Sequence, residues 1–148
     1  MELRKGGFAM KKRLLLLVLP VITLILEIIP YGAVCNFARP ATDGSIGHFR
    51  ELYSYFDMTP FGYANFSPLI TAILSCFVLL LVVIYCITGK KRVITLVKNT
   101  LPICIAISLC PLLYGIRFFS LVGALITISL LAELLLLHSF VRKQATTD

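Results

Sequence analysis

The stretch that decides the fold class lies at residues 68–92, which read PLITAILSCFVLLLVVIYCITGKKR. The part from 68 to 88 carries no charged side chain, and it is long enough to cross a ~30 Å hydrocarbon core at 1.5 Å per residue. Because backbone groups in lipid must be paired within their own segment, we predict a membrane-spanning helix. Pro68 suits the first helical position behind a Ser67 cap.

Three further apolar runs of this kind lie at residues 14–35, 93–115 and 118–141. None of the four alternates with a period of two, which argues against barrel strands. The sequence therefore predicts an all-α membrane protein, a four-helix transmembrane bundle forming a single transmembrane domain over residues 1–148, with an outer loop at 36–67.

The composition agrees with this class. Apolar residues make up 59% and charged residues 14% of the chain, whereas globular domains have ~45–50% and ~25%. A soluble globular domain and a disordered chain are thereby excluded. We expect the lipid bilayer as the partner surface.

The basic residues predict the topology, because Lys and Arg concentrate on the cytoplasmic side of a membrane. Eleven of the 14 fall on one side, namely Arg4, Lys5, Lys11, Lys12, Arg13, Lys90, Lys91, Arg92, Lys98, Arg142 and Lys143. Only Arg39, Arg50 and Arg117 fall on the other. Both termini are predicted to be cytoplasmic. The net charge of +7 is then a topology signal, and we expect no nucleic acid as a partner.

The N-terminal run resembles a secretory leader in its basic start and Leu-rich core. It is long, contains Glu27, and ends without a convincing small-residue cleavage site, so we expect an uncleaved span. Residues 1–9 are interpreted as an extension upstream of a natural start at Met10.

The outer loop is rich in Tyr and Phe. After a Ser45 cap, a short interfacial helix is predicted, because Phe49, Leu52, Tyr53 and Phe56 follow at i, i+3, i+4 and i+7. Together with Phe61 and Tyr63, the aromatic residues form a candidate outer-loop surface. One interpretation is an aromatic belt at the membrane interface; the alternative is a lid or recognition surface over the outer mouth of the bundle.

Three ionisable residues fall inside the predicted spans and form a candidate intramembrane polar site: Glu27, Lys98 and Glu133. A charge at the bilayer centre costs at least ~2.5–3.5 kcal/mol, so these side chains should face the bundle and find partners. Their depths allow Lys98 to meet Glu133, and Arg39 or Arg117 to approach Glu27. Two interpretations stay open: a structural ion pair or protonated acid, and an ion-coupled or substrate site.

Catalytic and cofactor motifs are missing from the sequence. The five cysteines are scattered singly without a Cys-x-x-Cys pair, which counts against a thiol oxidoreductase. Cys35 and Cys110 fall toward the outer side, where a bridge is one alternative and separate thiols the other. His48 and His138 lie on opposite sides of the membrane. We expect no metal site, no cofactor and no enzymatic activity.

The segment from Met10 to about Gly89 resembles small uncharacterised bacterial four-span inner-membrane proteins, which have no known activity. Three stretches carry the resemblance, MKKRLLL at 10–16, EIIPYGAV at 27–34 and YFDMTPFGYANF at 55–66. It implies a bacterial inner-membrane location. Small multidrug transporters are similar in having four spans and an acid in the first, but they lack the long outer loop.

Two functions agree with these features of the sequence. The first is a structural, accessory or partner-binding membrane subunit, acting as a homo-oligomer or within a larger membrane complex. The alternative is a small ion-coupled transporter or channel-like subunit that acts as an oligomer through Glu27, with Glu133 as a second candidate.

Overall fold

The computed structural model describes residues 14–40, 46–58, 60 and 65–145. The chain is mainly helical, as the sequence predicts, and it also contains one two-stranded sheet. In chain order the elements are a 3-10 turn at Leu15–Leu17, α1 at Val18–Ile28, β1 at Ala33–Pro40, β2 at Ile46–Tyr53, α2 at Ser67–Thr88, α3 at Lys91–Leu109 with 3-10 turns at Cys110–Tyr114 and Ile116–Phe118, and α4 at Leu121–Ala145.

Three helical segments are long and apolar enough to cross a membrane: Ser67–Thr88, Lys91–Tyr114 and Leu121–Arg142. They coincide within about three residues with three of the predicted spans. Their outward faces expose large apolar side chains, including Ile73, Leu80 and Ile103 at 59%, 54% and 55%. Apolar side chains on the outside of a long helix suit contact with lipid, so these segments indicate a membrane protein.

The first predicted span is shorter in the structure than the sequence suggests. Its apolar helical part ends at Ile28 rather than at residue 35. Ile29 has φ −64° and ψ 129°, an extended conformation, because the ring of Pro30 disfavours a helical conformation at the residue before it. The helical part from Leu15 to Ile28 is then about 21 Å long, less than a bilayer core.

The outer loop contains a β-hairpin, and the predicted interfacial helix through Phe49 is wrong. Strands β1 and β2 pair antiparallel from Ala33↔Tyr53 to Pro40↔Ile46. An isolated helix of this length is marginal in water, whereas β1 supplies β2 with backbone partners along its whole length. Strand β1 begins inside the predicted first span. The hairpin therefore takes residues from the end of that span and also stands in place of the predicted interfacial helix.

The four helices pack side by side in a closed ring. Helix α1 contacts α2 and α4, α2 contacts α3, and α3 contacts α4. Gly32, just after α1, meets Ser120, just before α4, while the turn before α1 contacts α4 as well; α1 and α4 are therefore antiparallel. Side chains on the inner faces are fully buried, among them Ala72, Val97, Leu101, Ile126 and Leu130. We call the end that carries β1 and β2 the hairpin end.

Different hydrogen bonds stabilise the two ends of α2. At its start, the Oδ1 atom of Asn65 accepts hydrogen bonds from the backbone N–H and the hydroxyl of Ser67. Phe66 is the N-cap residue and makes no side-chain cap hydrogen bond, so the predicted Ser67 cap is wrong and Ser67 is the first helical residue. At its end, Gly89 has φ 64° and donates its N–H to the Tyr85 carbonyl at 2.8 Å. This left-handed position favours glycine, and it allows α3 to begin at Lys91.

Candidate functional site

Glu27 lies in the last turn of α1 with its side chain fully buried. The hydroxyl of Ser75 on α2 donates to its Oε1 atom at 2.7 Å, while its Oε2 atom has no hydrogen-bond partner among the described residues. A buried polar atom without a partner costs free energy. One oxygen of this carboxyl group is therefore hydrogen-bonded and the other is enclosed without a partner in that part of the chain.

Glu133 on α4 is similarly enclosed. Its side chain is 4% exposed, and within the described ranges its Oε1 atom has no hydrogen-bond partner. Two acids with an unpartnered carboxyl oxygen thus lie on two neighbouring helices. The carboxyl groups of Glu27 and Glu133 are close enough to interact electrostatically, so the two sites influence one another.

The register between α1 and α4 is fixed by a hydroxyl pair. Thr23 Oγ1 and Ser129 Oγ lie 2.8 Å apart, and both residues are buried. Glu27 follows Thr23 by four residues, and Glu133 follows Ser129 by four. Since the helices are antiparallel, the two acids are displaced in opposite directions from the pair, by about 6 Å of helix rise each. Glu27 lies nearer the hairpin end.

Cys104 on α3 completes the arrangement. It is fully buried, its Sγ atom lies 3.7 Å from Ser75 Oγ, and it interacts electrostatically with both acids. All four helices therefore contribute to one interior patch. We call this patch the polar core and define it as Thr23, Glu27, Ser75, Cys104, Ser129 and Glu133.

The structure brings together two of the three residues of the predicted intramembrane site. Lys98 has an exposed side chain, and in the described part of the chain it forms no ion pair with the buried Glu133. Arg39 and Arg117 are also exposed. Within residues 14–40, 46–58 and 65–142, neither of them pairs with Glu27. Glu27 accepts a hydrogen bond from the Ser75 hydroxyl in place of the arginine partner that its predicted depth suggested.

Four members of the polar core are not predicted from the sequence: Thr23, Ser75, Cys104 and Ser129. The spacing points to two of them, because Thr23 and Ser129 each precede an acid by four residues and so share its helix face. Ser75 and Cys104 carry no such signal. Their position depends on how α2 and α3 pack against the other helices.

The candidate outer-loop surface is less uniform than the sequence suggests. Phe49 stacks on Phe37 across the hairpin with ring centroids 5.4 Å apart. Tyr53 donates its hydroxyl to the Glu51 carboxylate, and this hydrogen bond raises the pKa of Tyr53 to about 12. Phe56 lies beyond β2 and is 40% exposed. Phe61 and Tyr63 lie outside the described residues.

The polar core is suited to proton exchange more than to holding a metal ion. Carboxyl, hydroxyl and thiol groups each carry an exchangeable proton. Ca²⁺ takes six to eight oxygen ligands, and in the described residues no group of three His, Cys, Asp or Glu side chains is placed to hold an ion. The five cysteines all lie in the described part of the chain, and no disulfide joins Cys35 to Cys110.

No protein-family model, no curated protein and no solved structure matches the chain.

Proposed function

We propose that this chain is a multi-pass protein of a bacterial inner membrane with both termini in the cytoplasm. In this proposal α1, whose described apolar part Leu15–Ile28 is shorter than the other three, crosses beside them, so that the four helices form a transmembrane bundle. The protein then acts as a small ion-coupled transporter or channel-like subunit, in which Glu27 and Glu133 take up and release protons. The observation that carries the proposal is that both acids are buried, each with a carboxyl oxygen that has no hydrogen-bond partner in the part of the chain that the structure describes.

This observation favours transport over a purely structural role for the acids. Acids that hold helices together are expected to have their polar atoms satisfied, because an unsatisfied one opposes folding. Ionisable residues that persist inside a membrane despite this cost commonly mark ion or proton pathways. A proton bound at Glu27 or Glu133 removes the charge and supplies a donor, so each acid has two states that differ in energy.

The ring of four helices also supports an assembly of several copies. Its inner faces carry fully buried side chains such as Leu101, Ile126 and Leu130, so in this proposal a solute does not pass through the interior of one copy. Homo-oligomers with closed symmetry are the commonest assemblies. In this proposal a transported solute passes between copies while the polar core of each copy exchanges protons.

Proton flux into liposomes tests the proposal. The purified protein is reconstituted with a pH-sensitive dye inside the vesicles, and a potassium diffusion potential drives proton entry. We expect wild-type flux above that of empty vesicles and a loss of at least tenfold in Glu27→Gln, with a smaller loss in Glu133→Gln. Glu51→Gln, which alters an exposed acid of the hairpin, is the matched control. Absence of wild-type flux, or full flux in both buried-acid variants, would overturn the proposal.

The topology is tested separately. Alkaline phosphatase, which is active only outside the cytoplasm, is fused after residue 48 in the hairpin, after residue 90 and after residue 142. Activity at residue 48 alone is the expected result, since the basic residues concentrate at the other two positions. Activity after residue 90 or 142 would contradict the predicted orientation.

A structural, accessory or partner-binding membrane subunit is the second candidate, and strand β2 favours it. The side chains of Ile46, Phe49 and Leu52 are 68%, 42% and 38% exposed, and in the sheet β2 pairs with β1 on one edge only. Exposed apolar side chains on an open strand edge are a common docking surface for a partner chain. Under this proposal Phe49→Ser should abolish cross-linking to a partner in whole membranes while Glu27→Gln leaves it intact.

A further inference from the structure

Tyr55 is the one aromatic side chain of the segment after β2 that points into the molecule among the described residues 54–58. It is 1% exposed, whereas its neighbour Phe56 is 40% exposed. A turn fixes this direction: the backbone N–H of Ser54 donates to Asp57 Oδ2 at 2.7 Å, and that of Phe56 donates to Ser54 Oγ at 3.2 Å. The local sequence therefore aims Tyr55 at the helices.

The backbone of Tyr55 docks on the end of α1. Its N–H donates to the Glu27 carbonyl at 2.9 Å. That carbonyl would normally accept from residue 31, but Tyr31 donates to Ile29 instead because the helix has stopped before Pro30. Tyr55 thus supplies the donor that the shortened helix lacks. The segment after β2 is attached directly to the residue whose side chain lies in the polar core.

Two glycines make room for the Tyr55 ring. A Cβ atom on Gly32 would lie 2.8 Å from Tyr55 Cδ1, and one on Gly123 would lie 3.2 Å from the phenol oxygen. The hydroxyl of Ser120 ties the two walls together, since it donates to the Gly32 carbonyl and accepts from the Gly123 N–H. The ring therefore fills a notch between the end of α1 and the start of α4.

The notch lies beside the polar core, because the backbone N–H of Tyr55 is bonded to the carbonyl of Glu27. Burial raises the pKa of the Tyr55 phenol above its ordinary value, and the nearby Glu27 and Cys104 add to the effect. The ring accordingly lies at the hairpin end of α1, next to the residue whose side chain belongs to the polar core. Beside it, residues 54, 57 and 58 line a small groove with Asn65 and Pro68.

We propose that Tyr55 is a plug that closes the hairpin end of the polar core, and that movement of residues 54–58 away from Gly32 and Gly123 admits water and protons to Glu27. The regulatory role rests on the proposed function, because it matters only when Glu27 exchanges protons. The closure itself depends on the geometry of Tyr55, Gly32 and Gly123 alone. Removing the ring should expose the polar core, and removing only its hydroxyl should not.

The native Cys104 thiol is a reporter for this closure, because it lies beside Ser75 in the polar core. A variant that keeps Cys104 alone is prepared by changing Cys35, Cys76, Cys86 and Cys110 to alanine. It is placed in nanodiscs, where both ends of the helices face water, and treated with a charged methanethiosulfonate reagent. Thiol modification requires access by the reagent, so its rate measures how open the polar core is.

We expect Tyr55→Ala to raise the rate of Cys104 modification at least tenfold and Tyr55→Phe to stay within about twofold of the parent. Phe56→Ala is the matched control, since it removes a neighbouring ring of the same turn that is already exposed, and its rate should not change. Gly32→Ala should also raise the rate, because the added Cβ displaces the ring without removing it. Slow modification in Tyr55→Ala and Gly32→Ala, with their helical content intact, would overturn the plug.

A folding control keeps the result interpretable. Circular dichroism of each variant is compared with the parent, and if Tyr55→Ala loses helix, Gly32→Ala and Tyr55→Phe decide the outcome. Equal rates in those two variants would overturn the proposal.

Flux through the same variants separates the plug from the proposed function. If Tyr55→Ala raises both modification and proton flux, both proposals stand. Fast modification without flux in any variant would leave the plug in place and remove the transport proposal. Raised flux without faster modification would show that protons enter by another route, and the plug would be wrong.

Discussion

The hydroxyl oxygens of Thr23 and Ser129 lie 2.8 Å apart, although 106 residues separate them in the chain. Each is followed four residues later by a buried acid. This contact therefore sets the register of α1 against α4, and with it the levels at which Glu27 and Glu133 lie. A shift of one turn between the helices would place both acids differently with respect to Ser75 and Cys104.

Thr23→Val should destabilise the fold by breaking this contact. Interhelical hydrogen bonds in membrane proteins contribute about 0.6 kcal/mol on average and up to about 1.7, and the hydroxyl of Ser129 would lose its partner. A double-mutant cycle with Ser129→Ala, followed by unfolding in detergent, measures the coupling. Thr95→Val, at an exposed threonine that bonds only its own helix backbone, should change little. Strict additivity of the two buried changes would show that the contact contributes nothing.

Asn65→Ala should loosen the start of α2. The side chain of Asn65 accepts a hydrogen bond from the first helical N–H, that of Ser67, and loss of one such hydrogen bond costs about 1 kcal/mol. The melting temperature in detergent is the measurement. Asn99→Ala, at an exposed position within α3, is the control and should be neutral or slightly stabilising because alanine is the better helix former. An unchanged melting temperature in Asn65→Ala would mean that Pro68 alone starts the helix.

The sequence predicts the helices better than their contacts, and particular residues show why. The long apolar run at 68–88 fixes α2 almost to the residue, because a membrane demands local backbone pairing and the length is set by the bilayer. The hairpin was missed because the partner of Phe49 is Phe37, and cross-strand pairing depends on residues distant in sequence. Burial of Glu27 and Glu133 could be predicted from their spans, whereas Ser75 and Cys104 join them only through the packing of α2 and α3.

Glu51→Gln should lower the pKa of Tyr53 from about 12 toward its ordinary value of 10.0. The Glu51 carboxylate accepts a hydrogen bond from the Tyr53 phenol and so favours the neutral tyrosine. Since the folded pKa is raised, the stabilisation is fully present below pH 10.0 and is lost as the pH rises through about 12. Tyrosinate absorbance, with Tyr53→Phe subtracted, follows this titration. If the Tyr53 titration does not move in Glu51→Gln, the hydrogen bond does not form in solution.

Glu133→Leu separates a functional acid from a structural one, because the two roles predict opposite changes in stability. If Glu133 serves proton exchange, an apolar side chain of similar size removes the free-energy cost of a buried, partly unpartnered carboxyl group. The protein should then gain stability by up to ~1–4 kcal/mol. Its proton flux should be lost. If Glu133 holds the helices together, the same change should lower the melting temperature. Leu130→Ala, one turn earlier on the same buried face, calibrates the assay with an expected loss of ~2–5 kcal/mol. A less stable Glu133→Leu protein with unchanged flux would assign the acid to structure.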